Sequence, residues 1–339
     1  MIEILTTALN AVLPIVLLSV IGYFLKRIGF LTKEFSKIGS KLVFRICLSC
    51  TLFINVYNIR DFSGIPWDVV LYCMGVVLIL FVLGLLTTLL ITKESAKRGV
   101  ITHAVFRSNF AIIGLSLAAA LGGDEAMSVA SVVSAFTIPL YNILGVLSLT
   151  IFTGKGEKRR SFGNILLDIL KNPMILGALI GAFCIALRIG QIAIWGDVKF
   201  SIKEDIPFAF ETVNKLKTMT TPLALLVLGA QFEFSAVKGL FKEILFGTLW
   251  RLILAPALGV GLAYVLSRYT GLMSLGTESY PALIALFGSP VAVSTAVIAS
   301  EMRGDEQLAT QLVVWTSLGS VLTIYVTVCI MMASGLLMV

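Results

Sequence analysis

Apolar runs about as long as the ~20 residues needed to cross the ~30 Å hydrocarbon core of a bilayer recur from one end of this chain to the other. Ten can be placed, at roughly 4–25, 38–58, 69–91, 99–121, 126–152, 172–189, 217–234, 244–266, 279–300 and 308–336. Such a chain is expected to be an all-α membrane protein, because lipid leaves a backbone N–H or C=O no partner outside the protein itself. Charge content agrees: 13% of residues are charged and 58% hydrophobic, against ~25% charged in soluble domains. The first run opens on Glu3 and its basic residues, Lys26 and Arg27, follow it. It is expected to stay as a first span rather than act as a cleavable signal.

Lysine and arginine orient the spans. With the N-terminus outside, the inward loops carry Lys26, Arg27, Lys33, Lys37 and Lys41, then Lys93, Lys97 and Arg98, the cluster 155–160, Lys238, Lys242 and Arg303. That is roughly twice the number facing outward, so the positive-inside rule predicts both termini outside. Basic cytoplasmic loops account for the +7 net charge, and no nucleic-acid partner is implied. All five cysteines (Cys47, Cys50, Cys73, Cys184, Cys329) fall within apolar spans, which argues against a disulfide framework. Cys47 and Cys50 have redox-motif spacing but lie on a membrane helix, where thiols serve as small apolar fillers.

The basic stretch from Thr153 to Arg160 divides the spans into five before and five after. Five is odd, so the second set starts on the opposite side of the membrane, and the halves are expected to be inverted repeats. The units are a first five-helix repeat at 1–152, a basic cytoplasmic linker and interfacial helix at 153–171, and a second, inverted repeat at 172–339. A gapless match supports this. Arg107-Ser108-Asn109 through Gly123-Asp124-Glu125 aligns with Gly288-Ser289-Pro290 through Gly304-Asp305-Glu306, and the offset carries on to Val132-Val133 and Val313-Val314. Residues 165–171 are amphipathic and end at Asn172-Pro173, reading as a short interfacial helix followed by a helix start. The outside segment from Gln191 to Lys217 is too polar to span.

Both matched stretches are apolar spans broken by polar or helix-weakening residues, and paired breaks point to a transporter's binding site. Span four gathers His103, Arg107, Ser108, Asn109, Gly114 and Ser116; span nine has Gly288, Ser289 and Pro290, with Ser294 one turn on. Pro290 has no N–H and clashes with the preceding turn, so the ladder must break there, exposing helix N-termini that favour an anion. Asn109 falls near the midplane, where its amide can orient a carboxylate or a polar ring. Arg107 reads either as an anion contact or as a side chain snorkelling to the cytoplasmic face. His103 reads as a hydrogen-bonded or exposed residue nearer that face, and Arg45 and Arg251 as interfacial or structural. No Asp or Glu lies near the middle of a span, which disfavours carboxylate-based ion coupling and suits an anionic substrate.

One histidine cannot make a zinc cluster, no phosphate loop is present, and span interiors lack the acid, base and nucleophile of an enzyme. No cofactor or metal is expected. The alternative to a carrier is a membrane-embedded sensor or interaction protein that binds an organic acid without moving it.

With Asn172-Pro173 opening span six, Pro222-Leu223-Ala224-Leu225 and Gly229 in span seven, and Arg251 to Pro256 in span eight, the chain resembles bacterial members of the auxin efflux carrier family. That family includes plant PIN-type carriers and bacterial proteins assigned to malonate transport. The resemblance implies ten transmembrane helices folded as in sodium/proton antiporters and bile-acid transporters, with helices four and nine broken and crossing at the substrate site. It also implies a homodimer in a bacterial cytoplasmic membrane and an elevator-like movement of the crossing bundle against a scaffold. The site it implies is built on Asn109, Ser108, Arg107, Ser289, Pro290 and Ser294, with Gly114, Ser116 and Gly288 as breaks or hinges. The family's span-four prolines are replaced here by Ser108 and Ser116.

Overall fold

A computed structural model describes residues 2–58, 66–153, 171–270, 275–276, 278–334 and 336. Among these, six helices are long and apolar enough to cross a membrane: Lys33–Tyr57, Trp67–Ile91, Leu117–Phe152, Pro173–Trp195, Ala236–Tyr269 and Glu306–Ala333. The chain opens with α1 (Ile2–Arg27), then α2 (Lys33–Leu42), which runs through a π-helical turn into α3 (Leu48–Tyr57). Thr32 caps α2 by accepting from the Phe35 N–H. Next come α4 (Trp67–Ile91), α5 (Ser95–Phe106), a π turn at Phe110–Gly114, and α6 (Leu115–Thr153). α6 is interrupted at Gly122–Gly123, where Gly123 takes φ 65°, a conformation open to glycine.

The second half holds α7 (Pro173–Trp195), α8 (Pro207–Gln231), α9 (Ala236–Leu249), α10 (Ser279–Gly288), α11 (Ser294–Glu301) and α12 (Glu306–Ala333). α9 continues through π turns to Thr270. Asn172 caps α7 from its side chain, and Pro173 sits where a missing N–H costs nothing. The outside segment differs from the sequence reading at its far end: α8 begins at Pro207 rather than near 217, because Pro207 can start a helix and Phe210 finds a buried seat against Ile54 and Tyr57. The interfacial helix expected at 165–171 lies outside the described residues apart from Lys171.

The helices sort into two bundles. α1 packs along α8, and α3 along α7. Both contacts depend on glycine, since a Cβ at Gly229 would lie 1.8 Å from the Ser19 carbonyl oxygen and one at Gly177 2.3 Å from that of Ser49. Small residues of this kind let membrane helices approach closely enough for dispersion to hold them. The other bundle comprises α4, α5, α6 and α9–α12, and its buried centre includes Phe106, Phe110, Ile284 and Phe287.

Candidate functional site

The two broken spans meet. α5 ends at Phe106, and residues 107–109 run extended before helix resumes at Phe110; α10 ends at Gly288, and α11 begins at Ser294. Ser108 and Val291 form an antiparallel bridge, and the Asn109 N–H donates to the Pro290 carbonyl at 2.7 Å. The Val291 N–H donates to Thr316 Oγ1 on α12 at 3.0 Å. Backbone freed by the two breaks is thus satisfied largely across the crossing, as a low-dielectric interior requires.

Each break exposes one helix C-terminus and one N-terminus, not two N-termini as the sequence reading had it for span nine. The C-terminal ends are covered by Arg251. Its guanidinium donates to the Val105 and Phe106 carbonyls, both at 3.2 Å, and to those of Leu286 (3.4 Å) and Phe287. Arg251 is fully buried, so of the two alternatives its role is structural, not interfacial. One cation thereby binds the orphan carbonyls and the negative dipole ends of both half-helices.

The N-terminal ends face a cavity of about 460 Å³. Asn109, Ala111, Ala292, Val293 and Ser294 bring the starts of the two helix halves to its wall, and Arg107, Tyr141 and Asn142 complete that side. The opposite wall is Thr51, Asn55 and Asn58 of the α3 helix with Lys217, Thr220 and Thr221 of α8. The cavity therefore lies between the two bundles.

Arg107 does not snorkel. It is 5% exposed, and its guanidinium donates to Asn142 Oδ1 at 2.7 Å, Ser294 Oγ at 2.8 Å and the Tyr141 carbonyl at 3.2 Å. His103, expected as a hydrogen-bonded or exposed residue near the face, is fully buried, stacked on Phe106, with Nε2 3.4 Å from Arg107 Nη1. No carboxylate pairs with Arg107 or Arg251 among the described residues, whose ion pairs are Lys26–Glu233 and those of Lys97 with Glu94 and Glu243. Asn109 is 3% exposed and its Nδ2 is buried with no hydrogen-bond partner. An amide donor orphaned in a buried site costs free energy unless an acceptor occupies it.

The residues expected at the site divide. Arg107, Ser108, Asn109 and Ser294 line the cavity, and Ser108 Oγ lies 3.2 Å from Tyr141 Oη. Ser289 and Pro290 do not. The Ser289 hydroxyl turns back to the Ala285 carbonyl at 2.5 Å, and Pro290 offers only its carbonyl to Asn109. Gly114 sits in the π turn, where a Cβ would meet the Phe110 ring at 2.2 Å, whereas Gly288 has ordinary room, its nearest neighbour at 3.8 Å. Ser116 lies in the first turn of α6. Sequence reasoning missed Asn142, Tyr141, Lys217 and the Asn55–Asn58 pair, although two asparagines one turn apart near the end of an apolar span are a visible signal.

The family model for membrane transport proteins matches residues 7–328. The chain belongs to the membrane transport protein family. This is the auxin efflux carrier family that the motifs resemble, so the chain is a multi-pass transporter rather than an enzyme. It is also similar to two archaeal proteins, each described as an uncharacterized transporter. One, from Methanocaldococcus jannaschii, is 24% identical over 323 residues, covering 93% of this chain and 96% of the relative. The other, from Methanothermobacter thermautotrophicus, is 22% identical over 324 residues, covering 93% and 95%.

Proposed function

We propose that this transporter is a secondary carrier of small organic anions, carboxylates above all, working by alternating access. One observation carries the reading: a cavity at the crossing of two broken helices holds a guanidinium without a carboxylate, an unpartnered Asn109 amide and two helix N-termini, with no Asp or Glu on its wall. Every fixed dipole and charge there favours a negative occupant. The carboxylate would dock between Asn109 Nδ2 and Arg107, with the Ser294 turn beneath it.

The same reading takes the chain as ten crossings in two inverted repeats, 1–152 and 172–339, joined by 153–171. At the constant offset that aligns Gly123 with Gly304, Asn109 corresponds to Pro290, and these two residues are hydrogen-bonded to each other. A pseudo-two-fold axis through that pair accounts for this. It also makes the α1–α8 and α3–α7 contacts counterparts, since each joins a first span of one half to a second span of the other. With both termini outside, the cavity opens outward past Asn58 and Lys217. Inside, Gln307 and Gln311 of α12 close the bundles together by donating to the Gln231 and Glu233 carbonyls at 3.1 and 2.7 Å. Transport would slide the crossing bundle, an elevator, against α1–α3, α7 and α8, in a homodimer in the bacterial cytoplasmic membrane.

Uptake of a labelled carboxylate panel into proteoliposomes tests the proposal. Accumulation of at least one acid, lost in Asn109→Ala with an unchanged melting temperature, is the expected result. Transport at wild-type rate by Asn109→Ala, or binding without counterflow, would refute it, the latter in favour of a sensor.

A further inference from the structure

Two positive side chains reach the cavity, and they stand on different bundles. Arg107 lies at the crossing, and Lys217 on the opposite wall, one helical turn before Thr220. Thr220 is fixed to α3 through its hydroxyl, 2.9 Å from that of Thr51. Lys217 is half-buried and, like Arg107, has no carboxylate within ion-pair distance among the described residues. The wall between them is uncharged, with Asn55 and Asn58 offering amides.

A monoanion seated at Arg107 leaves the second cation unbalanced in a partly dehydrated cavity, and withdrawing a charge from water without a counter-ion is costly. A ligand with two anionic groups balances both. We propose that the cavity is ditopic and selects dianions: one carboxylate is held by Arg107 and Asn109, and the second faces Lys217, which is the specificity determinant. This rests on the organic-anion reading above. Because Lys217 belongs to the wall and Arg107 to the crossing bundle, a substrate carried with that bundle must leave Lys217 behind. Lys217 therefore governs capture from the outside and not the rate of carriage. The chemistry named is a short dicarboxylate, whose two charges can face opposite walls of one cavity.

The test uses the full-length protein in proteoliposomes, with straight-chain dicarboxylates of three to five carbons and the monocarboxylates of equal length. Wild type should take up at least one diacid with lower KM than its monoacid. Lys217→Gln should raise the diacid KM about tenfold, the scale of one lost charge contact, while leaving the monoacid KM and both Vmax values within about twofold. Lys217→Arg should restore the diacid KM. An equal shift for both classes, no shift, or a wild-type preference for monoacids overturns the ditopic site and leaves the carrier reading standing. Uptake of no acid by wild type overturns both. Melting temperatures of the variants, expected to match wild type, separate a lost charge from lost folding.

Discussion

Arg251→Leu is the sharpest perturbation of this fold. The side chain is wholly buried, and its two terminal nitrogens hold four carbonyls, two at the end of α5 and two at the end of α10. Leucine replaces much of the stem volume but none of the donors, so four acceptors at two helix ends are left without their cation. Hydrogen bonds within membrane bundles are worth ~0.6–2 kcal/mol each, and at ~1 kcal/mol apiece the four contacts put the loss near 4 kcal/mol. Arg251→Lys should lose roughly half of that, because a single ammonium offers a point charge and cannot fork between two helix ends. Equilibrium unfolding in mixed micelles measures both variants. A loss below about 1 kcal/mol for Arg251→Leu would show that the two C-termini do not depend on this cation, and the account of the crossing would fall with it.

Two further outcomes follow from backbone geometry. Gly177→Ala puts a Cβ 2.3 Å from the Ser49 carbonyl oxygen and should force α7 off α3 at a cost of ~1–3 kcal/mol, lowering the melting temperature, while Gly239→Ala, with nothing within 4 Å, should not. Arg303 follows α11 with φ 60°, and the Gly304 N–H closes that end by donating to the Ala299 carbonyl at 2.9 Å. Arg303→Gly relieves a left-handed conformation that costs other residues ~1–2 kcal/mol, so the variant should melt higher; an unchanged or lower melting temperature would count against strain there.

Legibility in the sequence followed the physics of each signal. Spans could be read because hydrocarbon thickness fixes their length, and the break at Pro290 because proline removes a donor outright. The break at Ser108–Asn109 was visible only through its match to span nine, since neither residue forbids helix. Partners were not legible. Arg251 lies more than thirty residues from any carbonyl it binds, and nothing local distinguishes a buried clamp from a snorkelling arginine. Lys217 was counted with the outside loop because the polar residues Glu211 and Lys215 mask the start of α8, a helix whose polar side faces outward there.

The placement of the two arginines turns a symmetric motif into a directional site. A crossing of two broken helices has two positive and two negative dipole ends, and by itself favours neither sign of ligand. Arg251 covers the two negative ends from behind and is sealed from solvent. Only positive ends then face the cavity, and Arg107 adds a charge to them, tied at Asn142 and Ser294 rather than neutralised by a carboxylate. Arg107 is bonded to residues of α6 and α11, and Arg251 to the ends of α5 and α10, so both move with the crossing bundle. Selection of an anion is in this way built into the same contacts that make the bundle one rigid unit, and loosening either arginine should weaken binding and stability together.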